Sequence, residues 1–308
     1  SGWQKDGTSI TFPVENGSHA GPGVHETHGF CCLPKDIGFE SKSYVRPLDL
    51  RRRAMDLIKG SHNRMSKRNR SDRGDDIRIV TYNIHSGISI DGTGSIDRVA
   101  RVIERYHPDI VALQEVDSFR ERTGGIDQAN KLAQMLNMYV SYNPTLYCDI
   151  GSYGNALLSS LPIISVIKIP LPATKNGEAR SAIKMKVDFK GATVTIIAVH
   201  LSFYPSERHA QVQYLINNEH IDSISHCIVC GDFNMISSSR SYKLMLESFN
   251  DMSKESKGEK KGTWMGFTAL DYIFASKNLK AHNVTVSHSR FTRNISDHLP
   301  IIADIVFA

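Results

Sequence analysis

Three observations predict a layered α/β domain with mixed sheets between residues 77 and 308. Apolar runs of strand length alternate with stretches of helical period. One stretch, Ile183 to Lys190, alternates apolar and charged residues strictly. Several neighbouring runs are close enough to form hairpins, while others are separated by a helix, so both antiparallel and parallel neighbours are expected.

Taken in order, Ile77 to Ile84 reads as a strand. Ser95 is placed to cap a helix with Ile96, Val99, Ile103 and Tyr106 on one face, ended by His107-Pro108. Ile110 to Leu113 is a short strand of the fully buried kind, and Gln128 to Leu136 is a second helix. In the alternating stretch, Ile183, Met185, Val187 and Phe189 point to one face, with Lys184, Lys186, Asp188 and Lys190 on a wet one. Thr193 to Val199 is a strand, Ser206 to Asn217 a helix and Ile228 to Gly231 a strand. Leu270 to Ala275, Val284 to Val286 and Ile301 to Phe307 complete the strands, and no sequence repeat is evident.

Ahead of this domain, residues 1–45 are rich in Gly, Ser, His and Pro without a sustained period and read as an irregular arm. Residues 46–76 read as a basic helix and linker. Pro47 to Lys59 has helical spacing, with Arg51, Arg52 and Arg53 among Leu48, Ala54, Met55, Leu57 and Ile58. Such a helix could meet a membrane or nucleic acid, or be a solvated helix packed on the domain or leading to a neighbour. Charge is concentrated here. Residues 40–74 carry eleven Lys/Arg against four Asp/Glu, whereas residues 75–308 carry 24 of each. An anionic surface is therefore an expected partner of residues 46–73, and the neutral remainder lacks the positive field of nonspecific DNA-binding domains.

No apolar run approaches the length needed to cross a bilayer, and no leader is visible. The chain begins Ser1-Gly2, which reads as a processed or engineered start, and a cytoplasmic location is the expectation. Five cysteines do not make a disulfide framework in 308 residues. Cys227 and Cys230, three apart on a strand, should face opposite sides and serve as buried structural residues. His25, His28, Cys31 and Cys32 could form a zinc site, although adjacent cysteines suit tetrahedral ligation poorly.

The chemistry is carried by four short motifs: Thr81-Tyr82-Asn83, Leu113-Gln114-Glu115, Gly231-Asp232-Phe233-Asn234 and Ser296-Asp297-His298-Leu299-Pro300. They place Asn83, Glu115, Asp232, Asn234, Asp297 and His298 at or just after the ends of apolar runs. Together these are oxygen ligands for a hard divalent cation and a proton-transfer histidine. Such a set suits hydrolysis of a phosphate ester.

From Asp76 to Ala308, the segments RIVTYNIHSG, PDIVALQEVD, YGNALLSSLPI, AVHL, CGDFN, ALDYIFAS and SDHLPI resemble the endonuclease/exonuclease/phosphatase superfamily. The resemblance implies a four-layer α/β sandwich, two mixed β-sheets packed face to face with helices outside. It implies that Asn83, Glu115 and Asp297 serve a Mg²⁺ site, with Mn²⁺ as an alternative. It makes Asp232 the residue that activates or orients water, and Asn234 the amide that holds that water and the phosphate. His298 would contact phosphoryl oxygens with Asp271 fixing its tautomer, and His200 would be a second phosphate-contacting histidine. Arg180 resembles a recurring arginine near the phosphate. Asn155 could reach the site or support a loop. Ile197, His200 and Thr268 replace residues that AP endonucleases use around an abasic sugar, which disfavours DNA repair. The expected activity is a metal-dependent phosphodiesterase acting on a nucleic acid or lipid headgroup. The alternatives are a nuclease, a phospholipid or inositol phosphate phosphoesterase, and an inactive binding module.

Overall fold

The computed structural model describes residues 76–307, apart from 95, 175–176, 256–261, 290 and 293. The expected arm, basic helix and possible His/Cys zinc cluster all precede residue 76, and the Ser95 cap is also outside the described residues.

Twelve strands form two mixed six-stranded sheets. In the first, the order is β11 (Leu279–Val286), β12 (Ile301–Phe307), β1 (Ile77–Asn83), β2 (Ile110–Ser118), β4 (Ser152–Ser159) and β3 (Tyr139–Tyr147). The second runs β5 (Ile163–Pro170), β6 (Ser181–Phe189), β7 (Ala192–His200), β8 (Cys227–Asp232), β10 (Asp271–Ser276) and β9 (Phe249–Asp251). Each sheet has one central parallel pair, β1 with β2 and β7 with β8, and the remaining neighbours are antiparallel. A parallel pair needs a crossover. Helices α1 (Ile96–Glu104) and α3 (Pro205–Asn217) make the two crossovers, while α2 (Gln128–Leu136) and α4 (Arg240–Ser248) follow β2 and β8.

Side-chain alternation sorts the core into three slabs. Ile79, Ala112, Leu157 and Ala303 of the first sheet meet Met185, Ile196, Ile228 and Ile273 of the second. The outer face of the first sheet packs Tyr82 and Leu113 on Val99, Ile103 and Leu132 of α1 and α2. The outer face of the second packs Val199, Val229 and Phe274 on Val212, Leu215 and Met245 of α3 and α4. The result is the four-layer order helix, sheet, sheet, helix. Cys230 belongs to the inter-sheet slab and Cys227 to the outer one, both buried, as their spacing required.

The sequence pattern missed β3, β4, β5, β9 and α4, and it ended β2 too early. β2 continues past Leu113 because a bulge between Leu113 and Val116 absorbs Glu115, which takes φ +58°. β3 and β5 are end strands of their sheets, one of mostly intermediate exposure and the other with Ile164, Val166 and Ile167 exposed, so neither shows the alternation that sequence reading depends on. Helix α4 has a sequence-readable cap, since Ser239 accepts a hydrogen bond from the backbone N–H of Tyr242. Among the described residues, no helix is long and apolar enough to cross a membrane.

Candidate active site

Both parallel pairs end at the same place, and the chemical residues sit on those ends. Asn83 is the last residue of β1, His200 of β7 and Asp232 of β8, while Asp271 is the first of β10. Strand register puts His200, Asp232 and Asp271 side by side on β7, β8 and β10. His298 arrives from the loop before β12. The carboxyl ends of parallel strands are where α/β sheets gather their ligand-binding groups.

Asp232 is the centre of the cluster. Its Oδ2 accepts a hydrogen bond from Asn83 Nδ2 at 3.0 Å and lies 3.6 Å from His200 Nε2 and 3.8 Å from His298 Nε2. Its Oδ1 accepts the backbone N–H of Asn234 at 2.8 Å. Burial, reinforced by the Asp271 charge, pushes the Asp232 carboxyl up to about 7. Asn83 Nδ2 also donates to Glu115 Oε1 at 2.8 Å, so one amide bridges two carboxylates. Burial raises the Glu115 carboxyl as well, with Asp297 adding to the shift.

The two histidines are opposites. His298 Nδ1 bonds Asp271 Oδ2 at 2.7 Å. Burial alone would lower His298, but Asp271, Asp232 and Asp297 overcome it and raise the imidazole to about 10. His200 is pushed well below the ordinary histidine range by burial and by the adjacent Arg180 and His298. Arg180 Nη1 lies 2.9 Å and 3.0 Å from the two ring nitrogens of His200, and Arg180 Nη2 pairs with Glu178 at 3.1 Å. The pocket therefore holds an imidazolium beside a neutral imidazole.

The remaining expected residues take their places around this centre. Asn234, at φ +49°, donates its amide to the carbonyl of Leu201 at 3.0 Å and braces the loop under Asp232. Asp297 is half-buried, with its Oδ1 3.3 Å from Ser296 Oγ. Asn155 is buried on β4 and donates to the carbonyl of Ser181 at 3.3 Å, tying the two sheets together next to Arg180. Sequence reading overlooked Ser296, whose hydroxyl donates to the Asn83 carbonyl at 2.8 Å and accepts the His298 N–H at 3.1 Å. It also overlooked Arg122, bonded to Asp117 and to Ser86 Oγ beside the Glu115 bulge. Neither has a signal in one sequence, because each acts through a partner distant in the chain.

The donor set fits a hard divalent cation. Asp232, Asp271 and His298 offer ligating atoms within 4.8 Å of one another. His298 engages Asp271 through Nδ1 and turns Nε2 toward Asp232. The carboxylates are the better donors: Asp232 and Glu115 are both held above their ordinary range, and the buried Oδ1 of Asp271 lacks a hydrogen-bond partner among the described residues. Clustered carboxyl oxygens without enough positive charge are the surroundings such a cation takes. A separate cavity of about 910 Å³ lies beyond the loop 262–270 and meets the cluster only at Asp271.

Comparison with known proteins finds relatives over most of the described residues. Escherichia coli K12 protein YbhP is 25% identical over 244 residues, covering 74% of this chain and 95% of that protein. Schizosaccharomyces pombe protein cwh43 is 30% identical over 132 residues, 43% of this chain, so the match spans only 13% of that protein's length. The human Nocturnin catalytic domain, solved with a bound sulfate anion, is 26% identical with a TM-score of 0.62. That likeness covers 77% of this chain and 95% of the Nocturnin domain. The Endonuclease/Exonuclease/phosphatase family matches residues 80–298, from the middle of β1 to His298, and the chain belongs to that family.

Proposed function

We propose that the protein is a divalent-metal-dependent phosphodiesterase in which Asp232 takes the proton from the attacking water. The observation that carries this reading is the position of Asp232, a buried carboxyl poised near 7 between His200 and His298. A general base works best when its pKa lies near the working pH. As water attacks phosphorus in line, Asp232 Oδ2 accepts its proton, and the ester oxygen leaves on the opposite side. The His298 imidazolium, held by Asp271, offers Nε2–H to a non-bridging phosphoryl oxygen as charge builds there. Burial, with Arg180 beside it, keeps His200 neutral, and Arg180 adds positive charge to the site. Asn83, Glu115 and Asp297 are the residues that would hold Mg²⁺ or Mn²⁺. When bound, the cation neutralises the anionic phosphoryl group and stabilises the transition state.

Hydrolysis of bis-p-nitrophenyl phosphate with and without EDTA tests the proposal. Turnover should vanish with EDTA and return with Mg²⁺ or Mn²⁺; turnover indifferent to chelation would refute it. The second reading is a nuclease, favoured by the eleven Lys/Arg of residues 40–74. Nuclease activity carried by that segment should weaken steeply with salt, whereas hydrolysis of the small diester should not.

A further inference from the structure

Asn83 and Glu115 both depend on left-handed backbone. Glu115 occupies its bulge at φ +58°, and Asn83 is followed, after Ile84, by His85, Ser86 and Gly87 at φ +47°, +55° and +67°. Gly87 suits that region, but His85, Ser86 and Glu115 each carry a Cβ that it disfavours, so their surroundings must hold them there. The turn in its turn orients Asn83. The His85 backbone N–H can only donate, and it bonds Asn83 Oδ1 at 3.1 Å. Asn83 Nδ2 is therefore the atom that faces Glu115 and Asp232.

Arg122 fastens this turn to the bulged strand. Its Nε and Nη2 donate to the two oxygens of Asp117, each at 2.7 Å, and Nη2 also donates to Ser86 Oγ at 2.8 Å. Asp117 is buried on β2 two residues beyond Glu115, and Ser86 is the buried middle of the turn. Gln128, the first residue of α2, ties the same two residues a second time. It accepts the Asp117 backbone N–H at 2.9 Å and donates to the Ser86 carbonyl at 2.6 Å. A planar guanidinium can grip both carboxylate oxygens and a hydroxyl together, which the point charge of a lysine cannot. We propose that Arg122 is a positioning residue for the cation site. It locks the turn after Asn83 to the strand carrying Glu115, and so sets these two donors relative to each other before any cation binds. The proposal rests on the reading of Asn83 and Glu115 as cation ligands.

Binding of Mn²⁺ to the full chain, read from the EPR signal of the free ion, tests it without turnover. The Arg122 guanidinium, raised chiefly by its bond to Asp117, also feels the Glu115 charge. By Coulomb's law alone, removing the Arg122 charge would tighten a cation at Glu115. Arg122→Gln should instead weaken Mn²⁺ binding by about 10-fold or more, the usual cost of losing a group that orients a metal ligand. That variant strips Asp117 of its partner, so Ser86→Ala carries the test if a far-UV melting curve shows the first variant unfolded. Ser86→Ala leaves the Arg122–Asp117 pair whole and every charge in place, and should weaken Mn²⁺ in the same direction by a smaller factor. In metal-free protein, exchange of the His85 and Gly87 amides should quicken several-fold in both variants, while amides of the inner strands keep their protection. A folded variant that binds Mn²⁺ as tightly as its parent, or more tightly, would overturn the proposal, and so would unchanged exchange at His85 and Gly87. A parent that binds no Mn²⁺ would refute the cation reading, a failure told apart from that of Arg122 because the exchange measurement uses no metal.

Discussion

The two sheets share one spatial order but present different residues at their strand ends. In each, a central parallel pair closed by a helical crossover lies between two antiparallel pairs, although the pair β11 and β12 beside β1 comes from the end of the chain, whereas β5 and β6 precede β7. β1 and β2 of the first sheet therefore correspond to β7 and β8 of the second. The corresponding ends are Asn83 beside Gln114 in one and His200 beside Asp232 in the other. The second half delivers its carboxylate in register at the strand end. The first half points Gln114 into a buried bond with Thr81 and brings its carboxylate in through the Glu115 bulge. In the mechanism we propose, the same frame supplies a proton-transfer end and a cation-binding end, joined by the single amide of Asn83. Local backbone, more than sheet topology, separates the two roles.

The largest effect should come from breaking the second half. Asp232→Asn should fold, yet lose turnover on bis-p-nitrophenyl phosphate by roughly 10²–10⁴-fold, the usual cost of removing a general base. Its stability should move the other way. A carboxyl raised to about 7 binds more protons folded than unfolded, so its contribution to stability falls as pH rises from about 4 to 7. The asparagine variant should escape that fall, which urea melts at pH 5 and pH 8 would reveal. Near-normal turnover would move the base to another residue.

In the first half, Glu115→Gln should act on the cation instead. The Mg²⁺ concentration for half-maximal activity should rise by about 10–100-fold or more, with turnover at saturating Mg²⁺ falling less than in Asp232→Asn. Equal losses of turnover in both variants, with no change in Mg²⁺ dependence, would erase the division between the halves.

The frame itself can be broken at Gly231, which precedes Asp232 at φ +147° and whose Cβ would stand 1.9 Å from the Val199 carbonyl oxygen. Gly231→Ala should cost roughly 1–3 kcal/mol for the backbone conformation, and more for the contact, read as a lower melting temperature. Retained stability would mean that β7 and β8 can separate without cost.

The gentlest test compares the histidines in metal-free protein by NMR. His298 should remain protonated well above neutrality and titrate at about 10, while His200 should stay neutral well below the usual histidine midpoint. Because the His298 shift is upward, its contribution to stability is complete below about 6.5 and fades as pH rises toward 10. Two ordinary midpoints would show that Asp271 does not set the proton position of His298, nor burial and Arg180 that of His200.

Much of this molecule was legible in the chain alone. Apolar periodicity located β1, β6, β7, β8, β10 and β12 and helices α1 to α3, because each buries at least one face and burial imposes a period. The order of motifs singled out Asn83, Glu115, Asp232, Asn234, Asp271, Asp297 and His298 as candidates, and the fold gathers them at one set of strand ends. Strands β3 and β5 were not legible, since their mixed exposure blurs the alternation. The tertiary structure decided what a list of residues leaves open. It set Arg180 against His200 and His298 against Asp271, making one imidazole neutral and the other charged, and it turned Asn155 toward Ser181 across the sheets. Proton positions and orientations depend on neighbours tens to hundreds of residues away and on burial, and a linear pattern records neither.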